Sequence, residues 1–164
     1  ISTGKGGFEV GLWGSFPATA GGGGNELDAY VSYDFGPLAL TVTNYTFPDG
    51  DGTYSSGGFF EGDLEISAST EIGGLSLMGG YFPDLETLYI EAGFGLGDVD
   101  FAIGFGSDSA DAFYVGAGES AICNVSFGYS KEIKITDDYS LPLFSSFIFN
   151  PKSEAAFIVF GASF

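Results

Sequence analysis

Hydrophobic and polar residues alternate along several segments of the chain. In segment 26–35, every second residue from Leu27 onward is hydrophobic, while Asp28 and Asp34 stand among the intervening residues. Segments 60–68, 87–95, 98–106 and 155–164 carry the same pattern. Successive side chains of a β-strand point to opposite faces, so each segment predicts a strand with one apolar face and one polar or small face.

Glycine-rich turns separate these segments. The turns at 36–37, 73–74 and 95–98 suit hairpins, whereas 17–25, 48–58 and 107–120 are long, rich in Gly, Ser and Asp, and predicted to be exposed loops. Segment 112–118 is an alternative eleventh strand, but it breaks the alternation of short and long connections. The pattern otherwise predicts ten strands, at residues 8–16, 26–35, 38–47, 59–69, 74–82, 87–95, 98–106, 121–131, 139–149 and 155–164.

Consecutive hairpins of this number form an antiparallel meander whose free edges need protection, and closure removes those edges. We therefore predict an all-β, antiparallel up-and-down barrel that occupies residues 1–164 as a single domain. Alternation does not say which face points inward. A soluble barrel hides its apolar face, whereas a membrane barrel presents that face to lipid.

Three observations favour the transmembrane barrel. Most predicted strands have the length, about 9–11 residues, that crosses a bilayer at a tilt. The polar face is rich in Gly and Ser, as suits a lumen. Aromatic residues stand near strand ends, where membrane barrels carry interfacial girdles; they are Phe16, Phe35, Phe47, Phe59, Tyr81, Phe94, Phe149 and Phe164.

Composition excludes several functions. The chain has 4 Lys+Arg against 22 Asp+Glu, a formal net charge of −18, and no His. Nucleic-acid binding needs cations, and both Ser-His-Asp catalysis and His-containing zinc sites need His. The single Cys forms no internal disulfide. Only carboxylate-pair chemistry such as glycoside hydrolysis remains open to an enzyme. We predict a protein that is not an enzyme and has no cofactor.

Several motifs resemble the TorF-type porin family of outer-membrane β-barrel proteins, most closely its members from the Bacteroidetes. They are GGFEVGLWGS at 6–15, ELD at 26–28, YVSY at 30–33, SKEIKITD at 130–137, SLPL at 140–143, FNP at 149–151 and VFGASF at 159–164. The family carries further N-terminal sequence. The resemblance therefore implies that 1–3 end an earlier strand, that 4–7 form a turn, and that the parent barrel has ten to twelve strands.

Acidic residues fall on the polar face of the predicted strands. If the apolar face meets lipid, they point into the lumen, where carboxylates favour cations and repel anions. The alternative is that they are solvated groups with no selected solute. The candidate lumen residues are Glu9, Asp28, Asp34, Glu61, Asp63, Glu65, Glu91 and Asp100.

Two further features have structural interpretations. Asp49 and Asp51 resemble the start of a calcium loop, but no Glu follows at the EF-hand spacing, so a surface turn is favoured and we predict no metal site. Cys123 has the same parity as Val125 and Phe127, which predicts that it faces lipid or a packing contact.

These observations together predict a porin-like or structural barrel in a bacterial outer membrane, in contact with lipid and not with nucleic acid. An acidic lumen would favour cations or small polar solutes if it is open. Two alternatives remain. One is a non-conducting barrel subunit that binds other envelope proteins, and the other is a secreted β-protein that associates with itself through an open edge or its apolar face.

Overall fold

The computed structural model describes residues 1–17, 24–48, 58–59, 61–109 and 112–163. Its strands form one antiparallel sheet in which neighbours in the chain are also neighbours in the sheet. No helix occurs within those ranges, and hence none that could cross a membrane. The strands are β1 (Ser2–Lys5), β2 (Phe8–Ser15), β3 (Glu26–Asp34), β4 (Ala39–Thr46), β5 (Asp63–Ile72), β6 (Leu75–Phe82), β7 (Thr87–Leu96), β8 (Val99–Asp108), β9 (Ser120–Lys134), β10 (Ser140–Asn150) and β11 (Ala155–Ala162).

The ten predicted strands are confirmed, with shifted ends. β5 begins at Asp63 instead of 59, and β9 continues to Lys134. The segment 112–118 is not a strand. β1 adds an eleventh strand where the family resemblance implied only the end of one. Gly73 and Gly74 both have positive φ, 59° and 82°, as a two-residue hairpin turn requires.

The strand order runs from β1 to β11 without closing on itself among the described residues. The described strands therefore form an antiparallel sheet, and its closure into a barrel stays a prediction. The backbone contacts divide the chain into two compact units. The first unit comprises residues 1–70 and 80–86, and the second comprises 71–79 and 87–164. A single domain over the whole chain stays a prediction.

The first unit exposes its hydrophobic face. Val10, Val31, Val42 and Ile66 lie opposite one another across β2, β3, β4 and β5. Val31 is 46% and Ile66 49% exposed, although burial of such side chains is the main force that folds a water-soluble domain. The other face of the same strands carries the acidic residues, and Asp28 on it is buried.

The second unit has the same inverted arrangement. Phe101, Phe127, Phe147 and Ile158 form one row across β8, β9, β10 and β11. Phe101 and Phe127 are about half exposed, and Ile158 is more exposed still. The buried side chains of this unit include Thr87 and Asp108 as well as Val115 and Cys123. Two polar side chains, Thr87 and Asp108, are therefore buried, while the large apolar side chains Phe101, Phe127 and Ile158 are exposed.

A β-bulge interrupts the pairing of β8 with β9. Gly104 lies opposite Asn124, whereas the next residue, Phe105, lies opposite Ile122, so Cys123 is the extra residue. Cys123 is buried and its Sγ lies beside Gly106, on the face opposite Val125. The prediction that Cys123 shares the face of Val125 is therefore wrong, and the packing contact is the alternative that holds.

Candidate functional site

The polar face of the first unit is built from rows of paired residues. One row contains Asp28, Tyr45 and Asp63, and the next contains Tyr30 and Glu65 with a threonine between them. Paired residues of antiparallel strands lie about 5 Å apart, so these rows bring several carboxylates onto one patch. We call this patch the first acidic face.

Tyrosine hydroxyls of these rows hold two carboxylates, those of Glu65 and of Glu9 on β2. Tyr30 donates a hydrogen bond of 2.6 Å to Oε1 of Glu9, and Tyr45 donates one of 3.0 Å to Oε2 of Glu65. The ring of Phe82 packs on the ring of Tyr45, with the centroids 5.4 Å apart. Phe82 is buried, and Glu65 is only 7% exposed. This part of the first acidic face is therefore packed with side chains.

The remaining acidic candidates of the first unit have different surroundings. Asp28 is 5% exposed, and its Oδ1 has no hydrogen-bond partner among the residues that the structure describes. Asp34 is exposed and accepts a hydrogen bond of 2.6 Å from the backbone N–H of Gly36, so it caps a turn. Glu61 is exposed and precedes β5, which places it outside the strand to which the alternation assigned it. Asp49 and Asp51 lie outside the described residues.

In the second unit, a hydrogen-bonded group surrounds Glu91. Its Oε2 accepts hydrogen bonds from the Tyr89 hydroxyl at 2.5 Å and from Nδ2 of Asn124 at 2.7 Å. The same Nδ2 also lies 3.3 Å from the Tyr89 hydroxyl. Gly104 permits this arrangement, because a Cβ there would overlap the Tyr89 ring. Neighbours on two strands therefore fix the position of the Glu91 carboxylate.

A cavity of about 390 Å³ lies beside Glu91 on the polar face of the second unit. Asp100 adds a second carboxylate, and it is exposed. Small residues line the cavity. Gly93 is one of them, and a Cβ at this position would overlap the Ser76 hydroxyl. The lining is Ser76, Glu91, Gly93, Phe94, Gly95, Asp100, Phe101, Ala102, Ser126, Gly128, Tyr129, Ser130, Phe144, Ser145 and Ser146. We call it the serine cavity.

No lysine lines the serine cavity. Lys134 forms an exposed ion pair with Asp137 at 2.7 Å, and Lys152 pairs with Glu119. Two carboxylates therefore face the cavity without a compensating cation in its lining. No group of three or more Asp, Glu, Cys or His that could hold a metal ion occurs within the described ranges.

Asp108 anchors the connection between β8 and β9. Its Oδ2 accepts four backbone N–H hydrogen bonds of 2.7–3.0 Å, from residues 113–116, and its Oδ1 accepts one of 3.2 Å from the Thr87 hydroxyl. The exposed apolar side chains of β8 end at Phe105, and Asp108 lies three residues further along the chain. Burial raises the pKa of this carboxyl, but the four N–H donors lower it by more, so its pKa lies below the ordinary value.

Sequence alternation assigned Glu91 and Asp100 to the polar face, but it gave no signal for Asn124, which donates a hydrogen bond to Glu91. Asn124 follows the bulge, and its inward position depends on the register between β8 and β9. The signal for Asp108 is its position at the end of a strand before a glycine-rich segment, which many surface turns share.

No family model, curated protein or solved structure matches this chain.

Proposed function

We propose that this protein is an outer-membrane β-barrel of a bacterial envelope, with a porin-like or structural role. The inverted distribution of side chains carries the proposal. Exposed apolar groups such as the row Val31–Val42–Ile66 and the pair Phe101–Phe127 suit contact with lipid, because they would be costly in water. Asp28 and Glu65 are buried on the opposite face of the strands, and Asp108 is buried at the loop end of β8.

The acidic residues of the polar face give the proposed lumen its selectivity. Glu91 and Asp100 face a cavity whose lining has no lysine, and Glu65 and Asp63 lie on the first acidic face. A pore wall of this charge concentrates cations and lowers the concentration of anions by electrostatic attraction and repulsion. Passive diffusion of cations or small polar solutes is therefore the function that we propose for an open lumen.

Heat modifiability on a gel tests the barrel. We expect unboiled protein, extracted in mild detergent from the outer-membrane fraction, to migrate faster than boiled protein. A species that is soluble without detergent and shows no mobility shift would refute the membrane barrel. If that species also forms filaments, the secreted self-associating protein is the better explanation.

Planar-bilayer recordings under a KCl gradient then test the selectivity. We expect a reversal potential of the sign that cation preference produces, and a smaller one for Asp100→Asn. The matched control is Asp137→Asn, which removes the same charge from an exposed turn, where Asp137 forms an ion pair with Lys134. Equal reversal potentials in the wild type and both variants would refute a role of Asp100 in ion selectivity.

One observation favours a second candidate, a non-conducting barrel subunit of an envelope complex. On the polar face of the first unit, Phe82 packs on Tyr45, and Tyr45 holds the buried Glu65. Side chains thus occupy space through which a solute would pass. A heat-modifiable protein that gives no conductance in bilayers, and that copurifies with a defined set of envelope proteins, would support this candidate over the porin.

A further inference from the structure

We infer that the serine cavity binds an amphipathic organic cation, a solute with an ammonium group and an apolar body. This inference rests on the proposed function, because it names the solute class for that polar face. It draws on three features that meet in the second unit. They are a fixed acidic side, an exposed apolar side on the same face, and a gap lined by hydroxyl groups and small residues.

The acidic side would recognise the ammonium group. Glu91 is oriented by Tyr89 and Asn124, so its carboxylate does not have to be ordered when a ligand binds. Asp100 is exposed in the same cavity, next to Gly95, where a Cβ would lie 3.1 Å from its Oδ1. No lysine lines the cavity, and an incoming cation would therefore supply the missing counter-charge.

The apolar side is Phe144 on β10. It lines the serine cavity and is 46% exposed. Register places it opposite Ser130, which also lines the cavity, so Phe144 is an apolar group on the polar face. A ligand with an apolar body would cover it.

The space between the two sides has a suitable size and lining. A volume of about 390 Å³ lies within the ordinary range of small-molecule sites, roughly 300–1,000 Å³. Ser76, Ser126 and Ser146 supply hydroxyl groups, which donate or accept hydrogen bonds.

Charge and polarity together select one class of ligand. An anion would be repelled by Glu91 and Asp100. A neutral apolar molecule would leave both carboxylates without a counter-charge, and a small hydrated cation would leave Phe144 uncovered. An amphipathic cation satisfies both sides of the cavity.

Titration calorimetry with the whole protein in lipid nanodiscs tests the inference. The probe is phenethylammonium, and its comparators are ethylammonium, phenethyl alcohol and hydrocinnamate, with empty nanodiscs to subtract partitioning into lipid. We expect phenethylammonium to bind about ten-fold more tightly than ethylammonium and phenethyl alcohol, because each comparator lacks one of its two groups. We expect no binding of hydrocinnamate, which is an anion.

Variants locate the site. Asp100→Asn should weaken phenethylammonium binding about five-fold, which is the size of a partly solvated ion pair, and added salt should reduce this difference. Phe144→Ser should weaken phenethylammonium more than ethylammonium. Asp84→Asn is the matched control, because Asp84 is an exposed acid of the first unit that does not line the cavity, and we expect unchanged binding.

Two outcomes would overturn the inference. One is equal affinity for phenethylammonium, phenethyl alcohol and hydrocinnamate, and the other is unchanged affinity in Asp100→Asn and Phe144→Ser. Failure of the proposed function is a separate result. A heat-modifiable barrel without this ligand preference refutes the inference alone, whereas a soluble protein that retains the preference refutes the membrane barrel alone.

Discussion

Replacement of Asp108 should release the connection between β8 and β9. Asp108 is 3% exposed, and one of its oxygens accepts hydrogen bonds from the backbone N–H groups of Phe113, Tyr114, Val115 and Gly116. Asp108→Ala removes the acceptor of all four bonds at once. The N–H groups then need water, which reaches exposed Phe113 easily and buried Val115 poorly.

The contacts set the size of the effect. A hydrogen bond to a charged acceptor contributes about 1.5–3 kcal/mol net, but four bonds to one oxygen are not additive. Water replaces the acceptor at Phe113, and the largest loss falls on Val115, whose bond of 2.7 Å is the shortest of the four. We expect Asp108→Ala to lower the free energy of unfolding by about 3 kcal/mol. Asp108→Asn keeps one neutral acceptor, so we expect about half that loss.

Two assays measure the effect. Urea unfolding in lipid vesicles, followed by the fluorescence of the single tryptophan, Trp13, gives the loss of stability. Limited digestion with chymotrypsin reports on the connection itself, because Phe113 and Tyr114 are cleavage sites that the Asp108 hydrogen bonds hold in place. We expect cleavage there to be faster in Asp108→Ala than in the wild type.

A matched variant separates this effect from the loss of any charge. Asp137→Ala removes an acid whose ion pair with Lys134 has side chains 65% and 94% exposed, so it should change stability by less than about 0.5 kcal/mol. If Asp108→Ala also changes stability by less than about 0.5 kcal/mol and cleavage is no faster, the argument from the four hydrogen bonds is wrong.

Three further predictions follow from the structure. Because the pKa of Asp108 is lowered on folding, its stabilising effect should be complete above the ordinary carboxyl pKa and should disappear as the pH falls through the lowered value. Urea unfolding of the wild type between neutral pH and about pH 2 should show this loss of stability in acid. An equal loss in Asp108→Asn would contradict the prediction. Gly104→Ala should lower the free energy of unfolding by about 1–3 kcal/mol, because the added Cβ overlaps the Tyr89 ring. Gly128→Ala should lower it by less than about 0.5 kcal/mol, because the nearest neighbour of its added Cβ is 3.7 Å away. Equal urea midpoints for the two variants would refute the overlap at Gly104. Buried Cys123 should react with a water-soluble maleimide much more slowly in the folded protein than in urea. In the control, Asp98→Cys combined with Cys123→Ser, the cysteine lies in an exposed turn and should react quickly in both conditions. Rapid labelling of Cys123 in the folded protein would contradict its burial.

Most of the strands were predictable because their signal is local. Alternation over eight or more residues, bounded by pairs such as Gly73-Gly74, specifies a strand and its faces without knowledge of the partner. The antiparallel order follows from short connections. β1 was harder to predict, since Ser2–Lys5 has no alternation and is a strand through its pairing with β2.

The details of the site depend on pairing, and a single sequence contains little information about pairing. The bulge at Cys123 changes which face the residues before it occupy, so parity counted back from Val125 fails at that point. Glu61 continues the alternation of β5 in the sequence, but the strand begins two residues later. The hydrogen bonds to Asp108 come from a loop whose conformation no periodic pattern describes.

Small residues beneath aromatic rings have a consequence for assembly of the sheet. Tyr30 lies over Gly11 and Phe144 over Gly161, each ring on the residue opposite it in the neighbouring strand. A slip of two residues would keep every side chain on its correct face, so alternation alone tolerates this error. Such a slip would set the Tyr30 ring against Glu9 or Trp13 instead of Gly11. The glycine–ring pairs thus disfavour hairpins misaligned by two residues, which the hydrophobic pattern alone would tolerate.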